Sequence, residues 1–281
     1  MAKLARIDAE LVRRNLATSR THARDLIEAG RVTLDGTKVD KVARQVNPAQ
    51  AIEVIEAAGE RWASRGAHKL LGALEYLGDD APVIEGVRAL DAGASTGGFT
   101  DVLLRRGAAS VVAVDVGYGQ LDWRLQSDDR VEVHDRTNVR HLEAADIAPA
   151  PSLVVADLSF ISLTLVIPAL ARSVASDAMY LLMVKPQFEI GKDRLPKGAV
   201  VRDPEMHYET VAAVAASSLD AGLRLWAVAP SPLPGPAGNV EYFIALAGPK
   251  VHPPRPALTG DDLAAAIRAA IADGPAGRSA P

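Results

Sequence analysis

The stretch Asp91-Ala-Gly-Ala-Ser-Thr-Gly-Gly-Phe-Thr-Asp101, directly after an apolar run ending at Leu90, constrains this chain more than any other. A strand that ends in an acid and breaks into a glycine-rich turn lets a ligand approach the backbone. Glycine at 93, 97 and 98 is expected to remove the Cβ atoms that would stand in its way. The spacing separates ligand classes. A dinucleotide fingerprint needs G-x-G-x-x-G, but position 95 is serine. Gly93 and Gly98 have the outer spacing of a phosphate-binding P-loop, but Phe99 stands where that loop needs lysine. One strand further on, Val111-Val-Ala-Val114 ends in Asp115, about 20 residues after the glycine loop, where an α/β nucleotide site holds ribose hydroxyls. A carboxylate accepts from both hydroxyls, so the residue type suits the position.

With both phosphate readings weakened, the remaining pattern, strand-acid-x-Gly-x-x-x-Gly, is typical of S-adenosylmethionine (SAM) methyltransferases. Asp91, Gly93, Ser95, Thr96, Gly97, Gly98 and Phe99 are then expected around the cofactor, with Asp115 on its ribose. Asn138 follows the predicted third strand, Val131-Glu-Val-His134, where an amide can read the adenine amine or serve as a loop hydrogen bond.

Composition bounds the alternatives. The 281 residues admit one full domain and a small one. There is no cysteine, so disulfides and thiolate metal sites are excluded, and His68 and His134 have no partner at metal-ligand spacing. No metal is expected. The most apolar stretch, Leu158 to Ala171, contains Ser and Thr and is too short to span a bilayer. Arg6, Asp8 and Glu10 interrupt any secretory h-region, so a cytoplasmic enzyme is expected. The net charge of −4 is uneven: residues 1–50 sum to +4, leaving −8 for the rest. A basic segment on an acidic body suggests division of labour.

The basic segment predicts a helix over 7–14, then Ser19 as N-cap of a second helix with Ala23, Leu26 and Ile27 on one face. Gly30 stops that helix, and two short strands meet at the Asp35-Gly36 turn. Arg6, Arg13, Arg14, Arg20, Arg24 and Arg31 cluster here. Arginine forks onto phosphate, which makes these candidates for an RNA surface; a solvated charged face is the alternative.

At this point the residues resemble known families. Ser19-Arg20-x-x-Ala23-x-x-Leu26-Ile27-x-x-Gly30-x-Val32-x-Leu34-Asp35-Gly36 resembles an S4 RNA-binding domain. Ser64-Arg-Gly-Ala-His-Lys-Leu70, the glycine loop, Asp115-Val-Gly-Tyr-Gly-Gln120, Ala156-Asp-Leu-Ser-Phe-Ile-Ser162, Lys185-Pro-Gln-Phe-Glu189 and Gly238-Asn-Val-Glu-Tyr242 resemble the TlyA (haemolysin A) family. The resemblance implies a Rossmann-like methyltransferase of the FtsJ type. Its substrate would be the ribose 2′-OH of cytidine in the RNA of both ribosomal subunits. Members often carry Arg-x-Trp-Val between the domains, where this chain has Glu60-Arg61-Trp62-Ala63. The expected organisation is an S4-like domain over 1–59, a linker over 60–64, a doubly wound, mostly parallel α/β domain with an antiparallel last strand over 65–253, and a helical tail over 254–281.

FtsJ-type enzymes carry a Lys-Asp-Lys-Glu tetrad, and Lys69, Asp157, Lys185 and Glu241 match its motifs in order. Asp157 ends the run Leu153–Ala156 and Lys185 ends Met179–Val184, so a parallel sheet brings both to its carboxyl edge. Glu241 begins the last strand and reaches the same edge if that strand is antiparallel. A 2′-OH is a poor nucleophile until its proton leaves, and a neutral lysine can take it. The resemblance casts Lys185 as this base, with Lys69 keeping it neutral by like-charge repulsion and positioning the ribose, and the two acids orienting the amines. Arg65 and Lys69 join the RNA candidates, Ser159 and Ser162 flank a nucleoside-contacting turn, and Phe188 or Tyr118 could stack on bases.

Overall fold

The computed structural model describes residues 4–14, 16–17, 19–47, 49–55, 62–252 and 255–277. They form two compact units, Met1–Arg61 and Trp62–Pro281. Glu60 and Arg61 of the variant linker lie outside the described residues.

In the first unit, β1 (Ala5–Arg6) leads into α1 (Ile7–Arg13), and α2 spans Arg20–Glu28. Ile7, Leu11, Ala23, Leu26 and Ile27 bury against one another. Ser19 Oγ accepts from His22 N at 3.0 Å, which satisfies one of the amides that a helix start leaves open. At the other end Gly30 takes φ +69°, its N–H donates to Ile27 O, and Arg31 N–H donates to Leu26 O. That pairing is the Schellman stop, which needs a left-handed residue at Gly30. The hairpin of β2 (Val32–Leu34) and β3 (Thr37–Lys38) turns at Asp35 and Gly36, both at positive φ as a type I′ turn requires. Of the remaining strands, β4 (Gln45–Val46) pairs with β1, and β5 (Ile52–Val54) pairs antiparallel with β2.

In the second unit, α3 (Gly66–Leu77) precedes β6 (Arg88–Ala92), α4 (Gly98–Arg105), β7 (Ser110–Val114), α5 (Trp123–Gln126), β8 (Val131–His134) and β9 (Leu153–Ala156). Then come α6 (Ile167–Ser173), β10 (Met179–Val184), α7 (Pro186–Glu189), α8 (Pro204–Asp220), β11 (Arg224–Pro230), β12 (Tyr242–Ala247) and α9 (Gly260–Asp273). Among the described residues, seven strands form one sheet in the order β11-β12-β10-β9-β6-β7-β8. β12 runs antiparallel to β10 and β11, while β8, β7, β6, β9 and β10 are parallel. Alternate residues face opposite sides: Leu90 and Ala92 point to the layer of α6, α8 and α9, Ala89 to that of α3 and α4. The chain order reverses at β6, whose neighbours are β7 and β9, and ligands bind at such a switch point.

Contacts at the expected limits are specific. Trp62 lies under the Arg105 guanidinium, which is 4.2 Å from the centre of its ring, and Ala63 N–H donates to the buried Asp101, so both pack on the second unit. Helix α9, expected in a tail, buries Ile267, Ala270 and Ile271 in the main core.

Candidate active site

The loops after β6, β9 and β10 and the segment before β12 meet at one edge of the sheet. The register of β10 on β12 pairs Val184 with Tyr242, so Lys185 and Glu241 are the next residues outward on each strand. Lys69 comes from the second turn of α3. Its Nζ lies 2.5 Å from Glu241 Oε2 and 4.0 Å from Met183 Sδ, a long contact. Lys185 Nζ lies 2.5 Å from Asp157 Oδ1 and donates to Ser159 Oγ at 3.1 Å. Lys69, Lys185 and Glu241 are buried, and Asp157 is half-buried. Lys69, Asp157 and Lys185 line one cavity of about 290 Å³, which the glycine loop borders through Gly93, Ser95 and Gly98, while Glu241 stands behind Lys69. Arg65 also lines it and donates to Pro234 O at 3.0 Å, tying down the proline-rich loop before Glu241.

The glycines are also needed by the loop's own packing. A Cβ on Gly93 would stand 2.9 Å from Asp157 O, one on Gly97 would collide with Leu125 and Leu121, and one on Gly98 would collide with Ser64 Oγ. Gly93 and Gly97 also hold φ of +88° and +96°. Close packing of the loop on its own protein, and left-handed dihedrals at Gly93 and Gly97, thus require glycine here, and Gly93 and Gly98 also line the cavity. What the loop presents outward is Ser95 and Thr96, both exposed, while Phe99 turns inward and stacks on Phe243 at 6.0 Å.

Asp115 binds the loop back to the next strand: Oδ2 accepts from Ser95 N at 2.9 Å and Oδ1 from Gly117 N at 2.7 Å. A neighbouring acid that sequence reasoning passed over, Asp135, accepts from Gly119 N at 2.8 Å. Asn138 caps the turn that follows it, its Oδ1 accepting from Arg140 N. Asp91 is fully buried; Oδ2 accepts from Thr100 Oγ at 2.7 Å, and Oδ1 has no hydrogen-bond partner among the described residues. Burial pushes its carboxyl up, the Thr100 hydroxyl opposes the push, and the charges of Asp157 and Asp115 add to it, with a net result of about 7. The negative charges of Asp157 and Asp115 that act on Asp91 form a field that a cationic ligand relieves and a phosphate aggravates.

The arginines of the first unit are mostly engaged. Arg6 and Arg20 both bond Asp8, and Arg13 and Arg14 both bond Glu10; these two acids are only 3% and 2% exposed. Burial pushes the Asp8 carboxyl up, but its hydrogen bonds from Arg6 and Arg20 prevail and bring it to about 2. The Arg13 hydrogen bond likewise takes Glu10 down to about 2 against its burial. Arg31 donates to Ile55 O, and Arg24 is exposed. The cluster therefore orders the α1–α2 pair as well as charging its surface.

A larger cavity of about 540 Å³, bordered by Gly72, Tyr76, Pro232 and Asp273, gathers no comparable set of paired amines and acids. Among the described residues no group of His, Asp or Glu could hold a metal, and no helix is long and apolar enough to cross a membrane.

A doubly wound sheet with one inserted antiparallel strand, a glycine loop at its switch point and buried lysine–acid pairs beside it defines a Rossmann-like methyltransferase. Residues 62–247 match the FtsJ-like methyltransferase family and residues 5–52 the S4 domain. The 16S/23S rRNA (cytidine-2′-O)-methyltransferase TlyA of Mycobacterium tuberculosis is 51% identical over 275 residues, which cover 98% of this chain and 100% of that protein. Hemolysin A of Brachyspira hyodysenteriae is 33% identical over 85% of this chain and 98% of its own. The solved structure of a candidate hemolysin from Streptococcus thermophilus superposes with a TM-score of 0.71 at 32% identity, covering 96% of both chains. The chain belongs to the TlyA family of FtsJ-like methyltransferases.

Proposed function

We propose that this chain transfers the methyl group of SAM to the ribose 2′-OH of cytidine in ribosomal RNA of both subunits, and that it acts in the cytoplasm. The observation that carries the reading is that Lys69, Asp157 and Lys185 line one cavity beside the glycine loop, with Lys185 paired to Asp157 and Lys69 to Glu241 behind it. When bound, SAM supplies an electrophilic methyl group on a positively charged sulfur. Its sulfonium and ammonium suit the acidic edge formed by Asp91, Asp115 and Asp157. Ser95, Thr96 and the backbone of 93–98 would border the cofactor. Asp115 would take the ribose hydroxyls on the lone pairs left by Ser95 N and Gly117 N, and Asn138 the adenine amine.

Lys185 accepts the 2′-OH proton on its amine nitrogen, and Asp157 stabilises the ammonium that forms. Ser159 fixes the direction of the Lys185 amine. Glu241 compensates the charge of Lys69, which leaves Lys69 to position the acceptor ribose. Arg65 and the S4 arginines hold RNA phosphates, which gives position without sequence. Extrusion of the target nucleotide then delivers its ribose to the cavity.

The test is transfer of labelled methyl from SAM to isolated small and large ribosomal subunits, with ribose methylation mapped. Wild type labels cytidine 2′-OH groups, while Lys185→Ala abolishes transfer and keeps SAM affinity. No label on any subunit with SAM bound normally would overturn the reading in favour of an RNA-binding assembly factor, and turnover retained by Lys185→Ala would remove it as the base.

A further inference from the structure

The motif Lys185-Pro-Gln-Phe-Glu189 ends in a carboxylate that the chemistry above leaves unused. Strands β9 and β10 are parallel neighbours, so the loops that follow them leave the sheet side by side. Near the sheet, Lys185 reaches across to Asp157 and Ser159. Further out, the Phe160 and Phe188 rings lie 5.2 Å apart. At the far end Glu189 spends both oxygens on the β9 loop: Ser162 Oγ donates to Oε2 at 2.5 Å and Leu163 N–H donates to Oε1 at 2.8 Å.

Between those fixed ends the β9 loop is under tension. Phe160 holds φ +62°, a region that costs a bulky L-residue on the order of 1–3 kcal/mol unless its surroundings enforce it. Its ring is 90% exposed, so core packing does not enforce it. The constraint comes from the two anchors, the Lys185–Asp157 pair on one side and Glu189 on the other. Ser162 in turn accepts from Thr164 N, so the Glu189 contact also fixes the start of the helical turn beyond.

Resting on the methyltransferase reading, we infer that Glu189 is a positioning residue: by gripping Ser162 and Leu163 it sets where Ser159, and with it the Lys185 amine, stands when the ribose arrives. Glu189 touches neither of the reacting groups assigned above. Its effect passes through Ser159 and Asp157.

Three variants separate positioning from a merely structural part. Glu189→Ala removes both contacts. Glu189→Asp keeps the charge but withdraws it by one methylene, so it cannot reach both donors. Glu189→Gln keeps the reach, taking Leu163 N–H on its oxygen and donating to the Ser162 hydroxyl. In single-turnover methyl transfer at saturating SAM and ribosomal subunits, Glu189→Ala should lose on the order of 100-fold in rate, the cost of a displaced reacting group. Glu189→Asp should lose roughly tenfold and Glu189→Gln less than that, while SAM affinity stays within about twofold in all three. Amide exchange at Leu163 should accelerate in the Ala and Asp variants and remain slow in Gln.

The reverse order, Asp better than Gln, would show that charge rather than reach matters and overturns the proposal. So does a rate for Glu189→Ala within about threefold of wild type, or a parallel loss of rate and SAM affinity, which marks a general loss of structure. Should Glu189→Ala fail to fold, the Asp and Gln pair decides alone. Should wild type transfer no methyl, the functional reading fails, and the exchange at Leu163 still decides whether Glu189 locks the loop.

Discussion

Asp91 should make the stability of the α/β unit fall with rising pH. Its carboxyl stands at about 7 in the folded chain against 3.8 ordinarily. The folded state therefore keeps a proton that the unfolded chain has already released. The sign follows: the contribution is fully present below the unfolded value of 3.8, declines as pH rises, and is gone above about 7. The slope is about 1.4 kcal/mol per pH unit, so roughly 3 kcal/mol is lost between pH 4.5 and 8. Asp91→Asn removes the titration while keeping an oxygen for the Thr100 hydroxyl. The difference in unfolding free energy, variant minus wild type, should thus grow by about 3 kcal/mol over that range in the absence of SAM. Urea unfolding followed by tryptophan fluorescence reads the right unit, because Trp62, Trp123 and Trp226 all lie in it. Taking the difference cancels the other titrating groups. A difference that stays flat within about 0.5 kcal/mol would show that Asp91 ionises like an exposed acid and would refute the burial argument.

The same unfolding assay tests the buried pair. Lys69→Met or Glu241→Leu alone should cost about 3–5 kcal/mol, since each strands a buried charge, whereas the double variant should recover most of that loss; additive losses would contradict the pairing. Gly98→Ala should cost about 1–3 kcal/mol and weaken SAM binding, because the new Cβ meets Ser64 Oγ and lies 2.9 Å from Ala67 N at the start of α3; an unchanged melting curve would show that α3 yields freely. In the first unit the low Asp8 and Glu10 carboxyls give the opposite pH sign. Their stabilisation is present above their ordinary values of 3.8 and 4.5 and is lost as pH falls toward about 2, so amide protection in α1 and α2 should collapse in that window in wild type and be weaker throughout in Asp8→Asn.

Local rules made part of this molecule legible. Ser19, Gly30 and Asp35-Gly36 each determine a cap, a stop or a turn through their own backbone chemistry, and each does so here. Asp157 and Lys185 could be brought to one edge because runs of apolar residues mark where parallel strands end. What stayed hidden depends on contacts between distant segments. Nothing in the spacing of α3 shows that Lys69 pairs with an acid 172 positions away, and that pairing follows only from where the helix packs beside β12. The packing of the glycine loop stayed hidden for the same reason. Its composition reports that side chains are excluded, but the excluded volume is filled by Ser64, Leu121, Leu125 and the Asp157 carbonyl, none of them adjacent in sequence.

The two loops bordering the cavity carry this contrast into function. Lys185 and Asp157 are found from strand ends, yet the precision of their contact rests on Glu189, five residues beyond one strand end and reaching residues six and seven beyond the other. A base that must meet a hydroxyl proton within hydrogen-bond reach needs such a support, because a shift of about 1 Å can cost 10²-fold in rate. The strain at Phe160 has the same origin: a loop anchored at both ends by side chains has fewer dihedrals with which to relax. The chemistry of this site therefore belongs to the strand ends, and its accuracy to the carboxylate that ties the two loops together.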